Sequence, residues 1–232
     1  MGDVRGKRAA AFFDVDGTLV DTTIVHYYRY FMSRRLSALG LIAWYPRFCV
    51  RCLYYLILDR VDRERFNIVF YRSYRGLATE QLKAAARDCY RDVIVPRQFD
   101  QAAGCLAEHR AAGRVIVLIT GSIDFIIQPF AEQVAADHVL AASLVEADGV
   151  FTGALTAAPV GGEEKARRMR QLATREGIDL TQSHAYGDSV ADLAMLEAVG
   201  FAHAVNPDRQ LASVAAARGW STHHWTRSSN GR

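Results

Sequence analysis

An apolar run near the start of the chain ends abruptly in two acidic residues. Residues 11–20 read Ala-Phe-Phe-Asp-Val-Asp-Gly-Thr-Leu-Val, so Asp14 and Asp16 follow a hydrophobic segment and precede a Gly-Thr turn. Residues i and i+2 lie on one face of an extended chain, so the two carboxyl groups can converge just beyond the end of a strand. Two carboxyl groups there can hold a hard divalent cation, and one can act as a nucleophile while the other transfers a proton.

Two other interpretations compete for this motif. Calcium-binding loops also contain Asp-x-Asp-Gly, but such a loop needs a bidentate Glu at its twelfth position, where this chain has Val25. We therefore set the calcium loop aside. The second alternative, a strand that ends in a solvated acidic turn, stays open on this motif alone.

Three later segments place further polar residues at predicted element ends. The apolar strand Val115–Ile119 runs into Thr-Gly-Ser, and Lys165 opens a basic helical stretch after a Gly-Gly break. In the Gly-Asp-Ser-Val-Ala-Asp segment, Asp188 and Asp192 are four residues apart at a predicted helix start and so lie on one face. Each residue alone could be a helix cap or a surface charge, but the ordered set favours one shared site.

The order acid pair, Thr, Lys, acid pair resembles the four motifs of the haloacid dehalogenase superfamily, from about residue 9 to residue 208. The resemblance implies a Mg²⁺-dependent phosphatase that hydrolyses a phosphate monoester through an aspartyl-phosphate intermediate. Asp14 would be the nucleophile, and Asp16 would protonate the leaving alcohol and then activate water.

The resemblance also implies the binding residues. Phosphate would be bound by Thr120, by Gly121 and Ser122 at a helix start, and by Lys165. Mg²⁺ would be held by the Asp14 carboxylate, the Asp16 backbone carbonyl and the Asp188 carboxylate, with Asp192 acting through water.

Strand and helix patterns alternate through the chain outside one long insert. Such alternation predicts an α/β fold with a Rossmann-like, mostly parallel sheet and helices on both faces. We assign residues 1–20 and 101–232 to this hydrolase core, and residues 21–100 to a helical cap inserted after the first strand. The core pattern also predicts a helix from about Ser122, a hairpin turn at Asp148-Gly149 and a last strand over Phe201–Val205.

The insert differs from the rest of the chain in charge and aromatic content. Residues 21–80 hold ten Arg, no Lys and five acids, a balance of +5 in a chain of net charge +3, and 13 of the 24 aromatic residues. The segment Leu36–Leu58 is nearly all apolar, yet Pro46, Arg47 and Arg51 argue against one membrane-spanning helix. Arg and aromatic residues beside apolar runs suit contact with anionic lipid or a lipid-like substrate. The alternative is a cap whose aromatic residues pack together and whose Arg residues face water.

The insert lies between the first and second motifs, as in the caps of phosphoserine-phosphatase-like subfamily IB hydrolases. It is also similar to the caps of phosphatidylglycerophosphate phosphatases. Phosphoserine phosphatases place a Glu nine residues after the nucleophile to bind the substrate ammonium, whereas this chain has Thr23. A neutral Thr cannot offset a buried positive charge, so we expect phosphoserine to be a poor substrate. Hydrolysis of a small soluble phosphate and phosphoryl transfer to an acceptor alcohol remain alternatives.

Composition limits the remaining function classes. Because no nucleic-acid-binding motif is recognised and the net charge is only +3, we expect no nucleic-acid partner despite the basic insert. Four cysteines in 232 residues do not form a disulfide framework. The first apolar run, from Ala9, is needed as a strand rather than as a signal peptide. We therefore expect a cytoplasmic enzyme, peripheral to a membrane if the insert contacts lipid.

Overall fold

A parallel sheet organises the protein. The computed structural model describes residues 8–61 and 63–227. Over these residues the strands are β1 (Ala10–Phe13), β2 (Val115–Ile123), β3 (His138–Ala142), β4 (Leu144–Ala147), β5 (Val150–Leu155), β6 (His184–Gly187), β7 (Phe201–Val205) and β8 (Ser221–His223). Six of them form one sheet in the order β3-β2-β1-β6-β7-β8, with every neighbouring pair parallel.

Helices cover this sheet and make up most of the insert. They are α1 (Ile24–Arg35), α2 (Ala38–Val61), α3 (Arg63–Tyr71), α4 (Thr79–Ala84), α5 (Ala86–Cys89), α6 (Asp100–Ala111), α7 (Asp124–Gln133), α8 (Glu163–Glu176), α9 (Leu193–Glu197) and α10 (Arg209–Arg218). All four residues of β1 are buried, as expected for a parallel strand covered on both faces. The predicted α/β fold, with a helical insert after its first strand, is confirmed.

The core departs from the sequence expectation in three places. The helix predicted from about Ser122 begins at Asp124, because β2 stays extended through Ile123. The predicted last strand over Phe201–Val205 is present, but α10 and the short edge strand β8 follow it. The pattern also missed β3 at the other edge of the sheet.

The predicted hairpin is present, but it lies outside the six-stranded sheet. Asp148 and Gly149 have φ values of +49° and +75°, which suit the tight turn between β4 and β5. The hairpin pairs instead with the end of the insert: the Phe151 N–H donates to the Leu77 carbonyl at 2.9 Å, and the Gly76 N–H to the Phe151 carbonyl at 2.8 Å. The assignment of residues 21–100 alone to the cap stays a prediction.

The apolar segment Leu36–Leu58 lies mostly in one continuous helix, α2, with Pro46 inside it. By length and composition, Ala38–Leu58 could cross a membrane, with a mean hydropathy of 1.3, and only 11% of its apolar window is buried. Phe48 and Tyr55 of α2 are buried, whereas most of the large apolar side chains of this helix are exposed: Leu39, Ile42, Tyr45, Val50, Leu53, Tyr54, Leu56 and Ile57. Among the residues that the structure describes, little covers the outer face of this apolar helix.

Candidate active site

The predicted site residues meet at one edge of the sheet. Strand β1 lies between β2 and β6, so the carboxyl ends of three parallel strands are adjacent. Asp14 directly follows β1, and its N–H donates to the Tyr186 carbonyl of β6 at 3.0 Å. Thr120 lies near the end of β2, and Asp188 directly follows β6. Functional sites on open parallel sheets form at this edge.

A buried ion network forms the base of the site. Lys165 Nζ, near the start of α8, donates to Asp14 Oδ1 at 2.5 Å and to Asp192 Oδ1 at 2.6 Å, and none of these side chains is more than 6% exposed. Burial raises the pKa of Asp14 to about 6, although the Lys165 charge opposes that rise. Burial also opposes the charge on Lys165, but Asp14 and Asp192 outweigh it and raise the pKa of this ammonium above its usual range. The network therefore pairs one cation with two buried carboxyl groups, and the lysine charge favours their ionised form.

Three carboxylates converge on a candidate metal site. Asp14, Asp188 and Asp192 each offer an oxygen, and these atoms lie within 4.8 Å of one another. Gly17, with φ of +96°, makes room for Asp188, because a Cβ there would lie 2.4 Å from Asp188 Oδ2. The buried Thr18 hydroxyl donates to Asp14 Oδ2 at 3.2 Å. Several carboxylate oxygens in a compact group fit Mg²⁺, which prefers hard oxygen ligands.

Asp192 is held more rigidly than a surface acid would be. Its Oδ2 accepts the backbone N–H groups of Asp188 and Ser189, each at 3.2 Å, while its Oδ1 accepts from Lys165. These contacts fix the turn that follows β6. Whether Asp192 binds metal through water, as the resemblance implies, stays a prediction, as do the other assigned metal and phosphate roles.

Asp16 is surrounded by hydroxyl groups. Its Oδ1 accepts from Thr22 and Tyr27, each at 2.8 Å, and its Oδ2 accepts from Thr120 at 3.1 Å and Ser122 at 2.6 Å. Tyr27 belongs to α1 in the insert, so the insert directly contacts the predicted acid–base residue. The four donors fix the orientation of the Asp16 carboxyl group.

The predicted phosphate-binding segment has a different local structure from the one expected. The Gly121 and Ser122 N–H groups are not at a helix start, because α7 begins at Asp124. The Ser122 N–H instead donates to the Thr120 hydroxyl at 3.0 Å, which keeps this end of β2 extended. Gly121 and Ser122 line the cavity beside Lys165, and Thr120 is fully buried behind them. Phosphate binding by these four residues stays a prediction.

A cavity of about 480 Å³ joins the sheet edge to the insert. Its floor is polar and contains Asp14, Asp16, Lys165 and Asp188. Its walls come mainly from α1, α2 and α3, and their apolar members are Ile24, Val25, Cys52, Tyr55, Leu56 and Phe66. A charged floor beneath an apolar wall suits a ligand with one highly charged end.

Sequence reasoning missed the residues that the insert contributes to the site. Tyr27 contacts Asp16, Asn67 lines the cavity, and the Tyr71 hydroxyl donates to the Gly121 carbonyl at 2.6 Å. The hydrogen bonds of Thr18 to Asp14 and of Thr22 to Asp16 were not predicted either. Helical periodicity can show that Tyr27 lies on the buried face of α1, but it cannot show which group its hydroxyl contacts.

Comparison with known proteins identifies the family. The sequence matches the haloacid dehalogenase-like hydrolase family over residues 11–197. It is similar to a probable phosphatase of Mycobacterium tuberculosis, with 34% identity over 222 residues that cover 94% of this chain and 76% of the relative. A phosphoserine phosphatase of the same organism is 32% identical over 223 residues, which cover 91% of this chain and 69% of the relative. The chain belongs to the haloacid dehalogenase-like hydrolase family.

Solved structures share the fold. A protein of unknown function from Bordetella pertussis superposes with a TM-score of 0.81 at 28% identity, covering 94% of this chain and 99% of that one. A phospho-aspartyl intermediate analogue of phosphoserine phosphatase superposes with a TM-score of 0.69 at 19% identity, covering 96% of this chain and 95% of that one. The predicted family, fold and enzyme class, a phosphoric monoester hydrolase, are confirmed.

Proposed function

We propose that this protein is a Mg²⁺-dependent phosphatase that hydrolyses a phosphate monoester through an aspartyl-phosphate on Asp14. The observation that carries the proposal is the buried Asp14 carboxylate, fixed by Lys165 and Thr18, beside Asp188 and Asp192 at the base of a cavity. Two comparisons support the same chemistry. One similar protein is named a probable phosphatase, and one solved structure of the same fold is a phospho-aspartyl intermediate analogue of phosphoserine phosphatase.

The residues divide the reaction between them. A carboxylate oxygen of Asp14 forms a bond to phosphorus while the bond from phosphorus to the leaving alcohol breaks, and Asp16 gives that alcohol its proton. Asp16 then takes a proton from water, whose oxygen attacks phosphorus and releases inorganic phosphate and the free Asp14 carboxylate. Lys165 supplies fixed positive charge beside the reacting oxygens.

The carboxylates of Asp14 and Asp188 and the Asp16 carbonyl would hold Mg²⁺, with Asp192 behind them. When bound, this ion neutralises phosphate charge and orients the group for attack.

Substitution of the nucleophile tests the proposal. Asp14→Asn should reduce turnover to below about a hundredth of the wild-type value, since the covalent route is lost. Asp16→Asn should lower it almost as far, and EDTA should silence the wild-type enzyme. Asp148→Asn, the same change in the exposed hairpin turn, serves as the control and should leave turnover unchanged. Turnover by Asp14→Asn above that threshold would remove Asp14 as the nucleophile.

The leaving group that we propose is apolar or lipid-like. The cavity walls are mainly apolar, and Thr23 lines the cavity where phosphoserine phosphatases carry an ammonium-binding Glu. Similarity to a phosphoserine phosphatase supports the alternative, a small amino-acid phosphate. Asp21 also lines the cavity, so it is the acid that would replace the missing Glu if phosphoserine were the best substrate.

We further propose that α2 rests on the surface of an anionic membrane. Its outer face is apolar, with Leu53 and Ile57 each 64% exposed, and Arg47 is exposed on the same helix. The inner face of α2 packs on α3, so the uncovered apolar face is the one that would contact lipid. Binding to anionic vesicles and not to neutral ones tests this contact. The cytoplasmic location stays a prediction.

A further inference from the structure

Asn67 presents its side-chain amide to the cavity. The residue is only 5% exposed and lies on α3, one turn before Tyr71. No hydrogen bond joins its side chain to any residue that the structure describes. Its Nδ2 lies 3.5 Å from the position that a Cβ on Gly121 would occupy, which places the amide beside the predicted phosphate-binding segment. A buried amide without a partner costs free energy, and a ligand that bonds to it would remove that cost.

The surroundings of Asn67 limit what that ligand can be. Among the described residues that line the cavity, five are charged. They are Lys165 and the four acids Asp14, Asp16, Asp21 and Asp188. The Lys165 ammonium is already bonded to Asp14 and Asp192, so none of the described lining residues offers a further cation to pair with a carboxylate on the leaving group. The neighbouring wall, from Tyr55 and Phe66, is aromatic.

The geometry points to Asn67 as the residue that recognises the leaving alcohol, by hydrogen bonding to a neutral hydroxyl or carbonyl group close to the phosphate. The inference rests on the proposed phosphatase activity and narrows its substrate class. A neutral amide offers two N–H donors and one carbonyl acceptor, which match a hydroxyl or ester group and not a full charge. The substrate is therefore a phosphorylated diol or glycerol-like alcohol, with its apolar remainder against the wall of the insert.

Three phosphates of similar chain length test this inference: propyl phosphate, glycerol 3-phosphate and glycerate 3-phosphate. Propyl phosphate carries no polar substituent, glycerol 3-phosphate carries two neutral hydroxyls, and glycerate 3-phosphate carries one hydroxyl and a carboxylate. For the wild type, kcat/KM for glycerol 3-phosphate should exceed that for propyl phosphate by about tenfold or more. The propyl chain offers no group that can hydrogen-bond to the Asn67 amide, whereas glycerol does. Glycerate 3-phosphate should be slower than glycerol 3-phosphate.

Asn67→Leu, of similar volume, should bring the ratio between glycerol 3-phosphate and propyl phosphate close to one while propyl phosphate is still hydrolysed. Asn67→Asp keeps the shape and adds a negative charge, so it should slow all three substrates. Ile68→Ala, on the exposed side of the same helix, is the control and should keep the wild-type ratio. Thermal melting establishes that each variant is folded.

The outcomes separate two failures. A wild type that hydrolyses none of the three phosphates overturns the proposed function. An active wild type whose ratio survives in Asn67→Leu, or that prefers glycerate 3-phosphate, overturns the role of Asn67 alone.

Discussion

The sheet edge and the insert meet at one cavity, but they are built differently. At the sheet edge, each functional side chain is fixed by others: Lys165 by two carboxylates, and Asp16 by four hydroxyls. On the insert side, the wall is mainly apolar, and the buried amide of Asn67 has no hydrogen-bond partner among the residues that the structure describes. The fixed edge suits chemistry that every substrate shares, whereas the insert suits recognition of what differs between substrates.

The largest expected effect comes from removing the cation at the sheet edge. Lys165→Met leaves Asp14 and Asp192 buried without their ion-pair partner, so the free energy of unfolding should fall by about 3–5 kcal/mol. Turnover should be lost as well. Urea denaturation at neutral pH measures the first effect.

Lys83→Met is the matched control. Lys83 pairs with Glu146 at 2.8 Å, but both side chains are about two-fifths exposed, at 39% and 41%. Water screens that pair, so its loss should change stability far less. Equal losses from the two substitutions would contradict the picture of a rigid, buried network.

The second-largest expected effect comes from filling the space that Gly17 leaves for the Asp188 carboxylate. Gly17→Ala would place a Cβ 2.4 Å from Asp188 Oδ2, so the carboxylate must move and turnover should fall about a hundredfold. Gly76→Ala carries a similar backbone cost, since Gly76 has φ of +78°, but nothing lies within 4 Å of its added Cβ. Both variants should lose similar stability, and only Gly17→Ala should lose activity. Equal turnover in the two would show that Asp188 tolerates displacement.

The same division explains what the sequence could reveal. Asp14, Asp16, Asp188 and Asp192 lie in short motifs at element ends, where spacing alone brings side chains together. The sequence could not show that Asn67 and Tyr71 of α3 lie at the site. Helical periodicity shows which face of a helix is buried but not which residues that face contacts.

Two departures in the core have different causes. The prediction that a helix begins near Ser122 was wrong because the Thr120 hydroxyl accepts the Ser122 N–H and keeps the backbone extended. Such a side-chain hydrogen bond competes with helix formation, and composition does not reveal it. The helix α10, in contrast, carried readable signals: Asp208 caps its start by accepting the Leu211 N–H at 2.7 Å, and Gly219 ends it with φ of +66°.

The smallest expected effect concerns the outer face of α2. The double substitution Leu53→Ser and Ile57→Ser removes two apolar side chains, each 64% exposed, so partition onto phosphatidylglycerol-containing vesicles should fall about tenfold. Arg47→Glu should produce a similar loss, and salt should weaken wild-type binding, because the attraction to anionic lipid is partly electrostatic. Co-sedimentation with anionic and neutral vesicles measures both.

Val95→Ser is the control for α2, since Val95 is 44% exposed in the insert but lies outside this helix. It should leave vesicle binding unchanged. Turnover of a soluble phosphate should survive in every α2 variant, because these side chains do not line the cavity. If the wild type stays in the supernatant at low salt and instead forms dimers that the double substitution disrupts, the apolar face of α2 is a self-association surface. In that case the insert would contribute substrate recognition and self-association, and membrane contact would be excluded.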